Sequence, residues 1–187
     1  MNKEKIIFLD FDGVVNTPIW DTYNGKFKCS FSKPTDGRVN NFQAICWLNE
    51  LHRLIKYKIV VSSSWRYLCK EVSYSQCLYN SGLDKNIKII GCIPVLPNRN
   101  KNDEINQWLN ENKNVVDNYV ILDDIPNLAD HNSKLIRCNY NHGFGADELK
   151  RVIRIFKNKY EKDDDWKLFF NYIIFFCWII IYRHLSS

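Results

Sequence analysis

Five short apolar runs, most of them rich in β-branched residues, recur along the chain: KIIFLD (5–10), KIVVS (58–62), IKIIGCI (87–93), NYVILD (118–123) and KLIRC (134–138). Between them the apolar positions change to a helical spacing. Phe42, Ile45, Leu48, Leu51 and Ile55 share one face, as do Ile105, Trp108 and Leu109, and after the fifth run Leu149, Val152, Ile153 and Phe156. A strand buried on both faces reads as a continuous apolar run, so this alternation predicts an α/β fold with a parallel five-stranded sheet between helical layers. Two segments break the rhythm. Residues 14–39 form a long aromatic-bearing loop with a hairpin expected around YNGK, and they read as a small lid. The second break is the carboxyl terminus.

A chain of 187 residues suits one domain with an appendage, and 45% apolar with 25% charged residues excludes a disordered chain. The net charge of +5 mildly favours anionic partners, but it is far from the basic stripe of a dedicated nucleic-acid binder. Seven cysteines form no C-x-x-C pair, and several lie inside apolar runs. They read as reduced core residues, which places the catalytic part in a reducing, cytoplasmic compartment. The apolar stretch at the amino terminus is too short for a signal peptide.

The chemistry gathers where the runs end. The first delivers Asp10 and Asp12 before Gly13, the second Ser62 within SSSWR, and the fourth Asp123 and Asp124. Parallel sheets bind ligands beyond the carboxyl ends of their strands, at a switch in strand order. Carboxylates from two distant strands meeting there would repel one another, and a hard divalent cation with oxygen ligands, magnesium above all, removes the difficulty. Lys101 opens the helix KNDEINQWLNE, where the macrodipole disfavours a cation unless a carboxylate or phosphate lies in front of it. Other chemistries find no support: no G-x-S-x-G elbow is present, and His52, His131, His142 and His184 are scattered.

FLDFDGVVN, VVSSSWR, RNKNDEINQWL and YVILDD, in that order, resemble motifs I to IV of the haloacid dehalogenase (HAD) superfamily of phosphohydrolases, over roughly residues 5–156. SSSWR, the lysine-led helix ending in WL, and ILDD are similar more narrowly to the HAD domain of Swiss Army Knife RNA repair proteins. The likeness implies a HAD-like Rossmannoid three-layer fold with a minimal cap over residues 1–160. Cys138-Asn139 and Gly143-Phe144-Gly145 stand where that family often has a Thr-Asp pair and a Gly-Leu-Thr element.

The resemblance implies roles for these positions. Asp10 attacks phosphorus and carries an aspartyl-phosphate. Asp12 protonates the leaving oxygen and then takes a proton from the hydrolytic water, its backbone carbonyl turned to the metal. Ser62 holds a phosphoryl oxygen, and Lys101 neutralises charge on the phosphoryl group and on Asp10. Asp10, Asp12, Asp123 and Asp124 form the magnesium site, with the choice of direct ligand between the last two left open. Ser63 and Arg66 are candidates for the substrate phosphate, with a turn-capping serine and a structural arginine pair as the competing readings.

The activity expected is a magnesium-dependent phosphatase acting on nucleic-acid ends, to which a minimal cap leaves room. The alternatives are a phosphoprotein or nucleotide phosphatase and an idle binding module. The lid aromatics Trp20, Tyr23 and Phe27 would stack on a base or pack the loop down.

Residues 161–187 form a separate tail containing LFFNYIIFFCWIIIY (168–182), apolar on every side. Its 15 residues span about 22 Å as a helix, short of a bilayer core of about 30 Å, but Trp166-Lys167 and Tyr182-Arg183 resemble interfacial anchors. A membrane anchor is the preferred reading, and a buried dimerisation element is the other.

Overall fold

The computed structural model describes residues 3–21, 26–28, 39, 41–67 and 71–157, with the backbone alone at 19–21, 26–28 and 71–73. The chain divides into two compact units, Met1–Lys157 and Asn158–Ser187. The second unit, and with it the apolar tail, lies outside the described residues. No helix among the described residues is long and apolar enough to cross a membrane.

The first unit is built on five parallel strands: β1 (Glu4–Leu9), β4 (Lys58–Val61), β5 (Lys88–Cys92), β6 (Val116–Asp123) and β7 (Leu135–Arg137). They lie in the order β5-β4-β1-β6-β7. Chain order therefore runs outward from β1 in both directions, and the switch point lies between β1 and β6. The expected parallel α/β sheet is what forms, with each strand within a residue or two of its apolar run.

Strand periodicity sorts the core. Ile6 and Phe8 of β1 pack with Val60, Ile121 and the α3 (Lys101–Glu111) residues Ile105 and Trp108. The Phe8 and Trp108 rings meet edge to face at 5.3 Å. Ile7 and Leu9, one residue out of phase, turn to the opposite face, where α1 (Phe42–Leu54) and α4 (Ala146–Lys157) touch. All four β1 residues are fully buried. Phe42 departs from its expected place. It is 57% exposed at the first position of α1, whereas Ile45, Leu48 and Leu51 are fully buried.

Helix α2 (Glu71–Asn80) has no clear signature in the sequence, since Tyr74 and Leu78 are its only residues seen to be fully enclosed. Within residues 14–39, β2 (Ile19–Asp21) and β3 (Lys26–Lys28) pair antiparallel with Asp21 opposite Lys26. That is the hairpin expected around YNGK. Its turn and Tyr23 lie outside the described residues.

The segment after β7 docks on the loop after β1. Phe144 N–H donates to the Val14 carbonyl at 2.9 Å, and Asn41 Nδ2 to the His142 carbonyl at 3.0 Å. A Cβ on Gly143, whose φ is +72°, would come within 2.3 Å of the Val14 oxygen, so this position admits only glycine. Gly145 N–H donates to Glu148 Oε2 at 3.0 Å, the acid's half of a capping box at the start of α4. Of the two positions here that depart from the family pattern, Phe144 is buried and Gly145 meets the capping Glu148. Cys138 is buried, and burial pushes its thiol far above the usual cysteine range, as suits a core residue.

Candidate active site

The sheet brings Asp10, Ser62 and Asp123 side by side. Asp10 N–H donates to Leu122 O at 3.0 Å, and Ser62 N–H to Leu9 O at 2.9 Å. Each residue is thus the first beyond, or the last within, one of three neighbouring strands. After β1 the chain turns at once: Phe11 O accepts from the N–H groups of Val14, Val15 and Asn16 at 2.8–3.1 Å.

That turn brings Gly13, with φ +72°, against Asp124, and a Cβ there would lie 2.7–2.8 Å from three atoms of the Asp124 side chain. Gly13→Ala is expected to cost about 1–2 kcal/mol for the left-handed backbone alone, and to displace Asp124 as well. Its thermal midpoint should therefore fall.

One carboxylate oxygen from each of Asp10, Asp123 and Asp124 lies within 4.8 Å of the others. Asp10 is nearly enclosed and Asp123 completely so. Lys101 Nζ lies 2.6 Å from Asp123 Oδ2 and 3.4 Å from Asp10 Oδ1. Burial works against the lysine's charge, yet Asp10 and Asp123 outweigh it and hold the ammonium above its ordinary range. The helix start that would disfavour Lys101 is thus offset by two acids in front of it. Helix α3 begins there because Asn100 caps it, accepting from the N–H groups of Asn102 and Asp103 at 2.9 and 3.3 Å.

Three acids against one lysine leave the cluster short of positive charge. Burial raises Asp10 to about 7; Lys101 pulls it down, while Asp123, Asp12 and Asp124 push it further up. Asp124 is raised by burial and then by Asp123. A donor set made only of carboxylate oxygens, partly enclosed and electrically unbalanced, fits a hard divalent cation such as magnesium. Added magnesium should raise the thermal midpoint of metal-free protein. The rise should be larger at pH 8 than at pH 5, where a proton on Asp10 competes; equal shifts at both pH values would count against this site.

Asp12 is near the trio without joining it through its side chain. Its Oδ2 accepts from Trp65 Nε1 at 2.9 Å and its Oδ1 from Asn16 Nδ2 at 2.8 Å. Trp65 is braced in turn by Phe11, ring to ring at 5.3 Å. Sequence reasoning missed both partners: Trp65 lies 53 residues from Asp12, and Asn16, four residues on, meets it only through the tight turn after β1. The aromatic in SSSWR was the one available signal.

Ser62 is fully buried, and its Oγ has no hydrogen-bond partner among the described residues. A buried hydroxyl left idle beside Asp10 suits a group that a ligand oxygen would complete. Ser63 Oγ accepts from Trp65 N–H at 3.3 Å, so its hydroxyl closes the turn that opens the 3₁₀ segment Ser64–Tyr67.

Arg66 takes the structural alternative. Its side chain is 2% exposed and forms an ion pair with Glu104, which is 0% exposed. It also donates to Ser62 O at 2.8 Å, Ser63 O at 2.6 Å and Tyr67 Oη at 2.7 Å. With its fork so engaged, Arg66 is turned into the fold.

A family model of the HAD domain in Swiss Army Knife RNA repair proteins matches residues 6–149. The chain belongs to that family. No curated protein and no solved structure matches it. HAD membership together with the three-aspartate cluster points to a hydrolase of the phosphatase type. The matched span contains every strand end described above, from Asp10 to Asp124.

Proposed function

We propose that the chain hydrolyses phosphate monoesters at nucleic-acid ends, through an aspartyl-phosphate on Asp10 and with magnesium as cofactor. The observation that carries the reading is the contact of Asp10 with Lys101 at 3.4 Å beside the unpartnered Ser62 hydroxyl. One carboxylate, one cation and one idle donor thus converge where the strand order switches.

In this reading Asp10 attacks phosphorus in line with the leaving oxygen, and the phosphoryl group passes to its carboxylate. Asp12, oriented by Trp65 and Asn16, gives a proton to that oxygen and later takes one from the water that frees phosphate. Lys101 and Ser62 steady the phosphoryl oxygens while charge shifts among them. Asp10 and Asp124, with the Asp12 carbonyl, would hold magnesium. Asp123 is occupied instead, accepting from Lys101 at 2.6 Å and from Ile125 N–H at 3.2 Å. The bound ion supplies Lewis-acid neutralisation of phosphoryl charge and relieves repulsion among the carboxylates.

The substrate assignment draws on the family's name, on the positive net charge and on the short lid hairpin. It is tested by phosphate release from a panel of 3′- and 5′-phosphorylated oligonucleotides, phosphopeptides and mononucleotides, with Asp10→Asn as blank. Preference for oligonucleotide ends is the expected result. Preference for peptides or mononucleotides would keep the chemistry and overturn the substrate. Release from none would overturn the phosphatase reading and leave a fold that binds without turning over.

A further inference from the structure

We infer that the buried Arg66–Glu104 pair is a positioning device for the phosphoryl site: it orients the backbone of the Ser62 loop and ties that loop to the helix that carries Lys101. This rests on the phosphatase reading, and neither residue touches substrate in it.

The contacts join into one circuit. Glu104 lies three residues after Lys101 on α3, close to one turn on and on the same side of the helix. Its carboxylate pairs with Arg66, accepts from Leu96 N–H at 3.0 Å and accepts from Tyr67 Oη at 3.3 Å. Arg66 grips the carbonyls of Ser62 and Ser63, and Ser62 N–H returns to Leu9 O, one residue before Asp10. Lys101 closes the circuit at Asp10 and Asp123.

The grip on two successive carbonyls has a consequence for the loop. In a planar trans peptide the C=O and the following N–H point in opposite directions. With Ser62 O and Ser63 O drawn to Arg66, the N–H groups of Ser63 and Ser64 face the other way, and neither donates to any described residue. These two N–H groups, together with the unpartnered Ser62 Oγ, make a cluster of donors beside Asp10. Such a cluster suits a phosphoryl oxygen.

Stability alone explains the pair poorly. Two charges are enclosed at the cost of their hydration, and apolar residues of similar volume in such a place are often as stable or more so. Arg66 Nε remains buried and unpartnered besides. What an apolar pair does not supply is the double hold on the Ser62 and Ser63 carbonyls.

That difference gives the test, done on the full chain. Arg66→Met/Glu104→Leu removes both charges together, so no charge is left buried alone. Arg66→Lys keeps the charge but loses the planar fork, and it carries the test if the double variant does not fold. The readouts are the thermal midpoint, kcat and KM on p-nitrophenyl phosphate, and the affinities for orthovanadate and inorganic phosphate. Vanadate mimics the five-coordinate transition state.

The expected result is a folded protein whose kcat and vanadate affinity both fall by about ten- to a hundred-fold, with KM and phosphate affinity little changed. A folded variant with wild-type kcat and vanadate affinity would overturn the inference. So would a loss confined to the fraction of folded protein, with the remainder unaltered. A wild-type chain without turnover would instead overturn the phosphatase reading, and vanadate affinity would then decide the role of the pair by itself.

Discussion

Asp10→Asn is expected to abolish phosphate release, by about 10⁴-fold or more, while leaving the protein folded. An amide has the shape of the carboxylate but cannot attack phosphorus. The same substitution separates a catalytic acid from a structural one by its effect on stability. Burial first, and then the neighbouring acids, hold Asp10 near pH 7 in the folded chain, against an ordinary value of 3.8. Between those values the folded state keeps a proton that the unfolded chain has released. In metal-free protein this makes stability fall as pH rises through that window, and above it the whole penalty is present. Asparagine carries no such penalty. At pH 8 without metal, Asp10→Asn should therefore melt at or above the wild-type temperature, and the gap should close toward pH 4. A variant that loses turnover and also melts well below wild type at pH 8 would mark Asp10 as a structural residue.

Lys101→Met has the second largest expected effect, and here stability and turnover part in the other direction. Among the described residues, Lys101 is the one cation in an ion pair with Asp10 or Asp123. Its removal leaves enclosed carboxylates uncompensated, and the loss of one partner from a buried pair costs about 3–5 kcal/mol. Magnesium restores part of that stability, since the ion that Asp10 and Asp124 would hold brings positive charge beside the uncompensated Asp123. It does not restore turnover, which should stay down by about 10²–10³-fold, because the metal cannot also stand where the ammonium meets the phosphoryl group. Thermal melts with and without magnesium, run beside phosphate release, check both halves. Recovery of turnover with magnesium alone would show that Lys101 only balances charge.

The residues at the strand ends were legible because a carboxylate closing an apolar run is conspicuous. Asp10, Asp123 and Asp124 do meet, and Lys101 faces two acids rather than standing at the helix start as an ordinary exposed lysine. Parallel pairing followed from runs apolar on both faces, whereas the strand order β5-β4-β1-β6-β7 is fixed by the tertiary structure and left no mark in the runs. Arg66 was not settled by sequence, because its partner lies 38 residues away on another element. A signal was present all the same. Glu104 falls four residues before Trp108, on the inward stripe of α3, where a carboxylate needs a buried cation. Asn16 gave no comparable sign, since it meets Asp12 only once the turn after β1 has formed, and Trp65 gave only its place in SSSWR, since its contact needs the loop after β4 as well. Helix α2 was missed because its apolar residues are interrupted by Ser73, Ser75 and Gln76 and follow no sustained helical stripe.

The most direct measurement of the central claim is an acid quench of the full chain during turnover of a phosphorylated oligonucleotide with magnesium, followed by mass spectrometry of its peptides. The account predicts one phosphoryl group on the peptide that contains Asp10, labile to hydroxylamine and absent from Asp10→Asn. Sustained phosphate release with no phosphoryl group on Asp10, under conditions that trap an acyl phosphate, would contradict it and point to direct attack by water.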